Sequence, residues 1–118
     1  MRCLVLAALP AALFLADPAA AWTRITTEAE FLQQIAGRTQ VIEGRGHIRS
    51  TADGNVTGEW NGNALRGRWQ WHESYWCRNL IIGQNEIGTN CLTVEIRGNQ
   101  VRARQDRGRG TETISTLR

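Results

Sequence analysis

Arg78 lies at the end of "RWQWHESYWCRN", with tryptophans at 69, 71 and 76 just before it. A guanidinium holds its charge at any ordinary pH and grips a carboxylate or phosphate through two parallel hydrogen bonds. Indole rings beside it supply apolar walls. Arg78, Trp69, Trp71 and Trp76 therefore form the candidate ligand-binding set, and the chemistry they suit is binding of a small anion.

The other reactive side chains form no constellation. His72 and Glu73 are adjacent and can act as a proton-transfer pair, but a lone dipeptide in a turn reads more simply as exposed polar surface. His47 stands alone on an early strand. Ser50 and Ser74 are the serines nearest the histidines, and neither lies in a glycine-flanked nucleophile elbow. "DRGRG" (106–110) precedes no strand-to-helix turn, so it is neither a dinucleotide fingerprint nor a phosphate loop. Two cysteines and two distant histidines lack the spacing of metal ligands. The residues thus assign no catalytic group, no metal and no cofactor, and the chain reads as a non-enzyme.

The first 21 residues are expected to be a cleaved signal peptide. Arg2 precedes the short apolar run "CLVLAALPAALFLA", and the small residues Ala19 and Ala21 occupy the positions a signal peptidase reads. A membrane anchor needs about 20 apolar residues, and this run is shorter and broken by Pro10. The mature chain is then one domain, 22–118, periplasmic or secreted, with no integral membrane segment. In that compartment Cys77 and Cys91 are expected to form a disulfide. The mature part keeps 13 arginines against 10 acidic residues and has no lysine. Its net charge of +3 favours anionic surfaces weakly, and export removes nucleic acid as a partner.

These residues need elements to position them. "TTEAEFLQQIAG" (26–37) predicts one short helix. Thr26 or Thr27 caps it, Gly37 ends it, and Phe31, Leu32 and Ile35 form its apolar stripe. Its expected role is a plug over one end of the domain. From Arg38 onward the pattern changes to period two, with turn signals at 43–46, 52–55, 61–63, 72–75, 83–86, 97–100 and 106–110. These delimit eight short strands in consecutive order, so the expected fold is mostly β, an eight-stranded antiparallel meander closed into a small barrel.

Register follows from the turns. A two-residue loop at Asn61-Gly62 pairs 58 with 65 and 56 with 67. One at Gly98-Asn99 pairs 96 with 101 and 94 with 103. A disulfide between opposed residues pairs 77 with 91 and 80 with 88, and puts Ile82 against Glu86. With "HESY" as a four-residue loop, 71 faces 76, 69 faces 78 and 65 faces 82. All agree on one inner face comprising 56, 65, 69, 71, 76, 78, 80, 92, 94 and 96, with the cysteines stapling the outer face. Arg78 then points inward, where an unpaired charge is expensive. Its plainer reading is structural, with the barrel's own carbonyls satisfying the guanidinium. The functional reading is an anion site at the barrel mouth, with Trp69 available for cation–π stacking. Arg102, Arg104, Arg107 and Arg109 form a basic edge, read as a solvated face that guards a late strand.

"FLQQIAGRT", "ADGNVTGEWNGNALRGRWQW", "CRN…NC" and "VEIRGNQVRARQDRG", in that order, resemble a loose group of small exported proteobacterial proteins of unknown function. The resemblance implies a glycine- and tryptophan-patterned barrel with one cysteine pair, and no catalytic residues. Some proteins of this kind carry the name dihydrodipicolinate reductase. This chain has no glycine-rich nucleotide loop and too little length for two domains. The expected function is a binding module for a small anionic ligand or an envelope partner. The alternatives are a structural or stress-related envelope protein with no internal ligand, and an enzyme.

Overall fold

The computed structural model describes residues 21–118, so all of the expected leader except Ala21 lies outside the described residues. Nine strands run in the order β1 (Thr23–Ile25), β2 (Thr39–Ile42), β3 (Gly46–Ser50), β4 (Asn55–Trp60), β5 (Asn63–His72), β6 (Tyr75–Ile82), β7 (Asn85–Arg97), β8 (Gln100–Arg104) and β9 (Glu112–Leu117). Strands β2 to β9 pair antiparallel in consecutive order, and β9 also lies against β2. The β7–β8 and β2–β9 pairings close the sheet, so β2 to β9 make an eight-stranded antiparallel barrel.

The ninth strand, β1, was not expected from the sequence. Strand β7 has 13 residues and outruns its partner β6, whose pairing with it stops at Trp76–Leu92. Strand β1 takes over the vacated edge, pairing Thr23 with Ile96 and Ile25 with Val94. Backbone groups that would otherwise be left without partners are thereby satisfied. Arg24 ties β1 to the β5–β6 turn, its Nη2 donating to the carbonyl and hydroxyl oxygens of Ser74, each at 3.2 Å.

The hairpin registers hold at Asn61-Gly62, where both turn residues have positive φ, as a type I′ turn demands. They hold at Gly98-Asn99, and at the pairs 71–76, 69–78, 67–80 and 65–82. Two details differ. His72 pairs with Tyr75, so the loop is the two residues Glu73 and Ser74, not four. A bulge between Leu80 and Ile81 shifts the next hairpin by one, so Ile82 faces Asn85 and not Glu86. A bulge adds a residue on one strand and sharpens the local twist, which period-two counting cannot anticipate. Gly67 faces inward where a Cβ would collide with the Asn79 carbonyl oxygen, so a glycine lets β5 and β6 bend closely together there.

Helix α1 (Glu28–Gln34) is shorter than the 26–37 read from sequence. Thr27 caps it, its hydroxyl accepting from the Glu30 amide at 3.2 Å and donating to Glu30 Oε1 at 2.9 Å. The helix closes one end of the barrel. Phe31 and Ile35 are buried, with Ile25 of β1 beside them in the same core cluster. A second helical turn, α2 (Gln105–Gly108), joins β8 to β9. Asp106 and Arg107 both occupy the left-handed region, which costs an ordinary residue roughly 1–2 kcal/mol. Asn90 holds the turn, its Oδ1 accepting from the Asp106 amide and its Nδ2 donating to Asp106 Oδ1, both at 2.8 Å.

A disulfide joins Cys77 to Cys91 directly across β6 and β7, on the face opposite Leu80. Among the described residues no helix is long and apolar enough to cross a membrane.

Candidate functional site: a charged barrel lumen

The inner face can be followed from the plugged end to the open one. Phe31 sits among three indoles, with ring centroids 4.9 Å from Trp69, 5.5 Å from Trp71 and 6.1 Å from Trp76. Trp69 Nε1 donates to the Thr51 carbonyl at 2.8 Å, and Trp71 Nε1 donates to the Glu73 carbonyl at 3.0 Å. Trp69 and Trp71 are therefore committed to seating the plug. Trp76 touches the plug on one side and lines a cavity on the other.

That cavity occupies the lumen and measures about 340 Å³. Arg78 is the single charged residue in its lining. Leu65, Leu80, Ile82 and Leu92 form much of the wall around Arg78. Gln40 of β2 and Ser115 of β9 line it too, bonded to each other from Gln40 Nε2 to Ser115 Oγ at 3.1 Å. With eight strands around the axis, β2 stands across the barrel from β6, so this amide–hydroxyl pair faces the Arg78 wall. The turns 43–45, 61–62 and 83–84 surround the end away from α1, and Ile87 lines the cavity there while 51% exposed.

Arg78 is only 6% exposed. Among the described residues its guanidinium has no ion pair and no hydrogen bond to a carbonyl, so the carbonyl-satisfied arrangement expected from the sequence is absent. The expected stacking on Trp69 is absent as well, because that ring packs on Phe31 instead. Burial lowers the pKa of Arg78, and no neighbouring charge or hydrogen bond opposes that push. Asn90, its cross-strand neighbour on β7, spends its amide on Asp106. A second donor beside the cavity also lacks a partner, the buried Nε1 of Trp76.

The sequence therefore selected four residues of which two, Arg78 and Trp76, line the cavity, while Trp69 and Trp71 support them from the plug side. It missed the polar wall. On β9, Thr113 and Ser115 point inward while Ile114 is 42% exposed on the outside. This inverts the usual pattern of apolar residues inside, and such local violations gather at functional sites. The alternation of "TETISTL" carried the signal, but only the β2–β9 register reveals which face is inside.

The remaining candidates lie elsewhere. His72 Nε2 is 3.4 Å from Glu73 Oε1, and both are exposed at a turn by the plugged end. They do not join Arg78 in one cleft. His47 is exposed on the outer face opposite Glu59. No group of His, Cys, Asp or Glu among the described residues can hold a metal. At Arg102 and Arg104 the basic edge is paired with acid. Arg102 pairs with Glu95, Arg104 Nη2 lies 3.1 Å from Glu112, and Arg97 and Arg102 sit 4.3 and 4.6 Å from the Trp22 ring. These cross-strand pairs tie β7, β8 and β9 together.

No protein-family model, curated protein or solved structure matches this chain.

Proposed function

We propose that this protein is an exported, non-enzymatic binding module that holds a small anionic ligand inside its barrel. One observation carries the reading, a buried guanidinium without a counter-charge beside a cavity of about 340 Å³. A charge drawn out of bulk water and facing a cavity without a protein partner is costly, and a fold that needs only packing at position 78 would fill it with an aliphatic side chain. A ligand carboxylate or phosphate is the natural compensation, and volumes of a few hundred Å³ suit small molecules. Export is supported by the leader-like pattern of the first 21 residues and by the disulfide, a bond that persists chiefly in oxidising compartments. The resemblance to small exported proteobacterial barrels points the same way.

The test exchanges Arg78 for methionine, which keeps the length and removes the charge. Melting curves of Arg78→Met and wild type are compared in chloride, acetate, benzoate and phosphate. The expected result has two parts. The variant melts higher than wild type in chloride, because an uncompensated charge is gone. Wild type alone gains stability as one of the organic anions or phosphate is added, by mass action on the folded state. A variant that melts several degrees lower, with no anion response in wild type, would assign Arg78 to the scaffold and end the reading.

A further inference from the structure

We infer that the ligand is an amphipathic monoanion, a carboxylate on an unbranched apolar tail, with its head inside at Arg78 and its tail toward the open end. The inference rests on the anion-binding reading above and goes beyond it by fixing the ligand's shape, charge and direction.

Charge comes first. One cation lines the cavity and no carboxylate accompanies it. A monoanion leaves the filled lumen neutral. A dianion would leave one charge unpaired against aliphatic walls, and a zwitterion would leave its ammonium without a carboxylate.

Direction comes from where the charge sits. Arg78 adjoins Trp76, on the side of the cavity nearer the α1 plug. From Arg78 to the rim, β6 presents Leu80 and Ile82 to the lumen, a path of four residues or roughly 13 Å. Ile87 waits at the mouth, half exposed. A compact anion such as acetate would satisfy the guanidinium and leave this whole path with nothing to bury. An apolar tail lying along it covers Leu80, Ile82 and Ile87 and keeps water from the charge pair.

Size follows from volume. A cavity of about 340 Å³ lies at the small end of the range for ligand pockets, about 300–1,000 Å³, so the tail is short, on the order of eight carbons. Gln40 and Ser115 line the same cavity across the barrel, and the Ser115 hydroxyl and the second Gln40 amide hydrogen can donate to the carboxylate.

The experiment is a calorimetric titration of the disulfide-bonded protein with acetate, butyrate, octanoate, dodecanoate and 1-octanol. Affinity is expected to rise about fourfold per methylene, the value of one buried CH₂, up to roughly octanoate, and then to level off as the tail leaves the lumen. Octanol is expected to bind at least about tenfold more weakly than octanoate, since it cannot make the charge-assisted bonds. That difference should vanish in Arg78→Met. It should also vanish in wild type once the pH falls below the ordinary carboxyl range of about 4 to 5. The pH arm is repeated on Glu30→Gln, which removes the acid titration at the plug, so that loosening of α1 does not mimic loss of the charge pair. Acetate binding as tightly as octanoate would overturn the amphipathic ligand and leave the anion site standing. Octanol binding as tightly as octanoate, or none of the five binding, would overturn both.

Discussion

At the scale of single residues, Phe31 and Arg78 divide the interior between them. Phe31 spends three indoles on closing one end, and Arg78 leaves its charge facing the space that remains. The first is ordinary packing and should behave so. Phe31→Ala is expected to cost about 3–5 kcal/mol, the usual loss for a buried phenylalanine with the cavity it leaves. Chemical denaturation followed by tryptophan fluorescence measures it, and a loss under 1 kcal/mol would mean that α1 does not plug the barrel. Arg78 should respond in the opposite sense, since removing it relieves the fold. Its inward direction was legible in the hairpin arithmetic. Its lack of partners was not, because whether a carbonyl reaches a guanidinium depends on atoms from strands that no local pattern brings together. Stacking on Trp69 failed for a related reason: the ring faces the right strand, but a residue from α1 reaches it first.

Among the elements, α1 has the weakest hold on the rest. It has seven residues, too few to be stable without docking, so its cap and its buried face must serve together. Glu30 titrates below its ordinary 4.5, chiefly because the hydroxyls of Thr27 and Thr26 donate to its carboxylate. A carboxyl whose folded pKa is depressed contributes stability that is complete above the unfolded value. That contribution is lost as pH falls through the folded value. The plug is therefore expected to loosen below about pH 4.5, before the barrel does. Hydrogen exchange at the amides of Phe31 and Ile35 checks it, and protection there that is unchanged down to pH 3 would disprove it. Glu30→Gln should remove the pH step while leaving the helix capped by Thr27. The helix was readable from Thr27, Glu30 and the spacing of Phe31 and Ile35. Strand β1 was not, because three residues carry no periodicity, and its place exists only because β7 outruns β6. The left-handed turn of α2 was equally hidden, since Asp106 and Arg107 owe it to Asn90, far away in sequence.

For the whole molecule, the main question is how so small a barrel holds together around a cavity of about 340 Å³. Closure supplies part of the answer, since each of β2 to β9 pairs over some of its length with a neighbour on either side. The disulfide supplies another. Its half-cystines are 14 residues apart, and closing a loop of that size removes roughly 3 kcal/mol of unfolded-state entropy. Cys77→Ser is expected to lower stability by about 2–4 kcal/mol under oxidising conditions, and to matter little in excess reductant. Equal melting midpoints for variant and wild type without reductant would show that the bridge contributes nothing. The exposed Arg104–Glu112 pair adds less, because such surface pairs are worth about 0–1 kcal/mol.

The amino-acid sequence alone determined the hairpins. Asn61-Gly62, Gly98-Asn99 and the cysteine pair each set a register through contacts a few residues apart, and their agreement placed 56, 65, 78, 80, 92 and 94 on one face. Only the tertiary structure decided what that face encloses. Whether β9 lies against β2, which side of "TETISTL" is inside, and whether side chains fill the lumen or leave a cavity beside Arg78 all depend on distant strands meeting around a common axis. Turn chemistry is local and can be read in order along the chain. Enclosed volume is a sum over every strand at once, and it exists only when the last pair has closed.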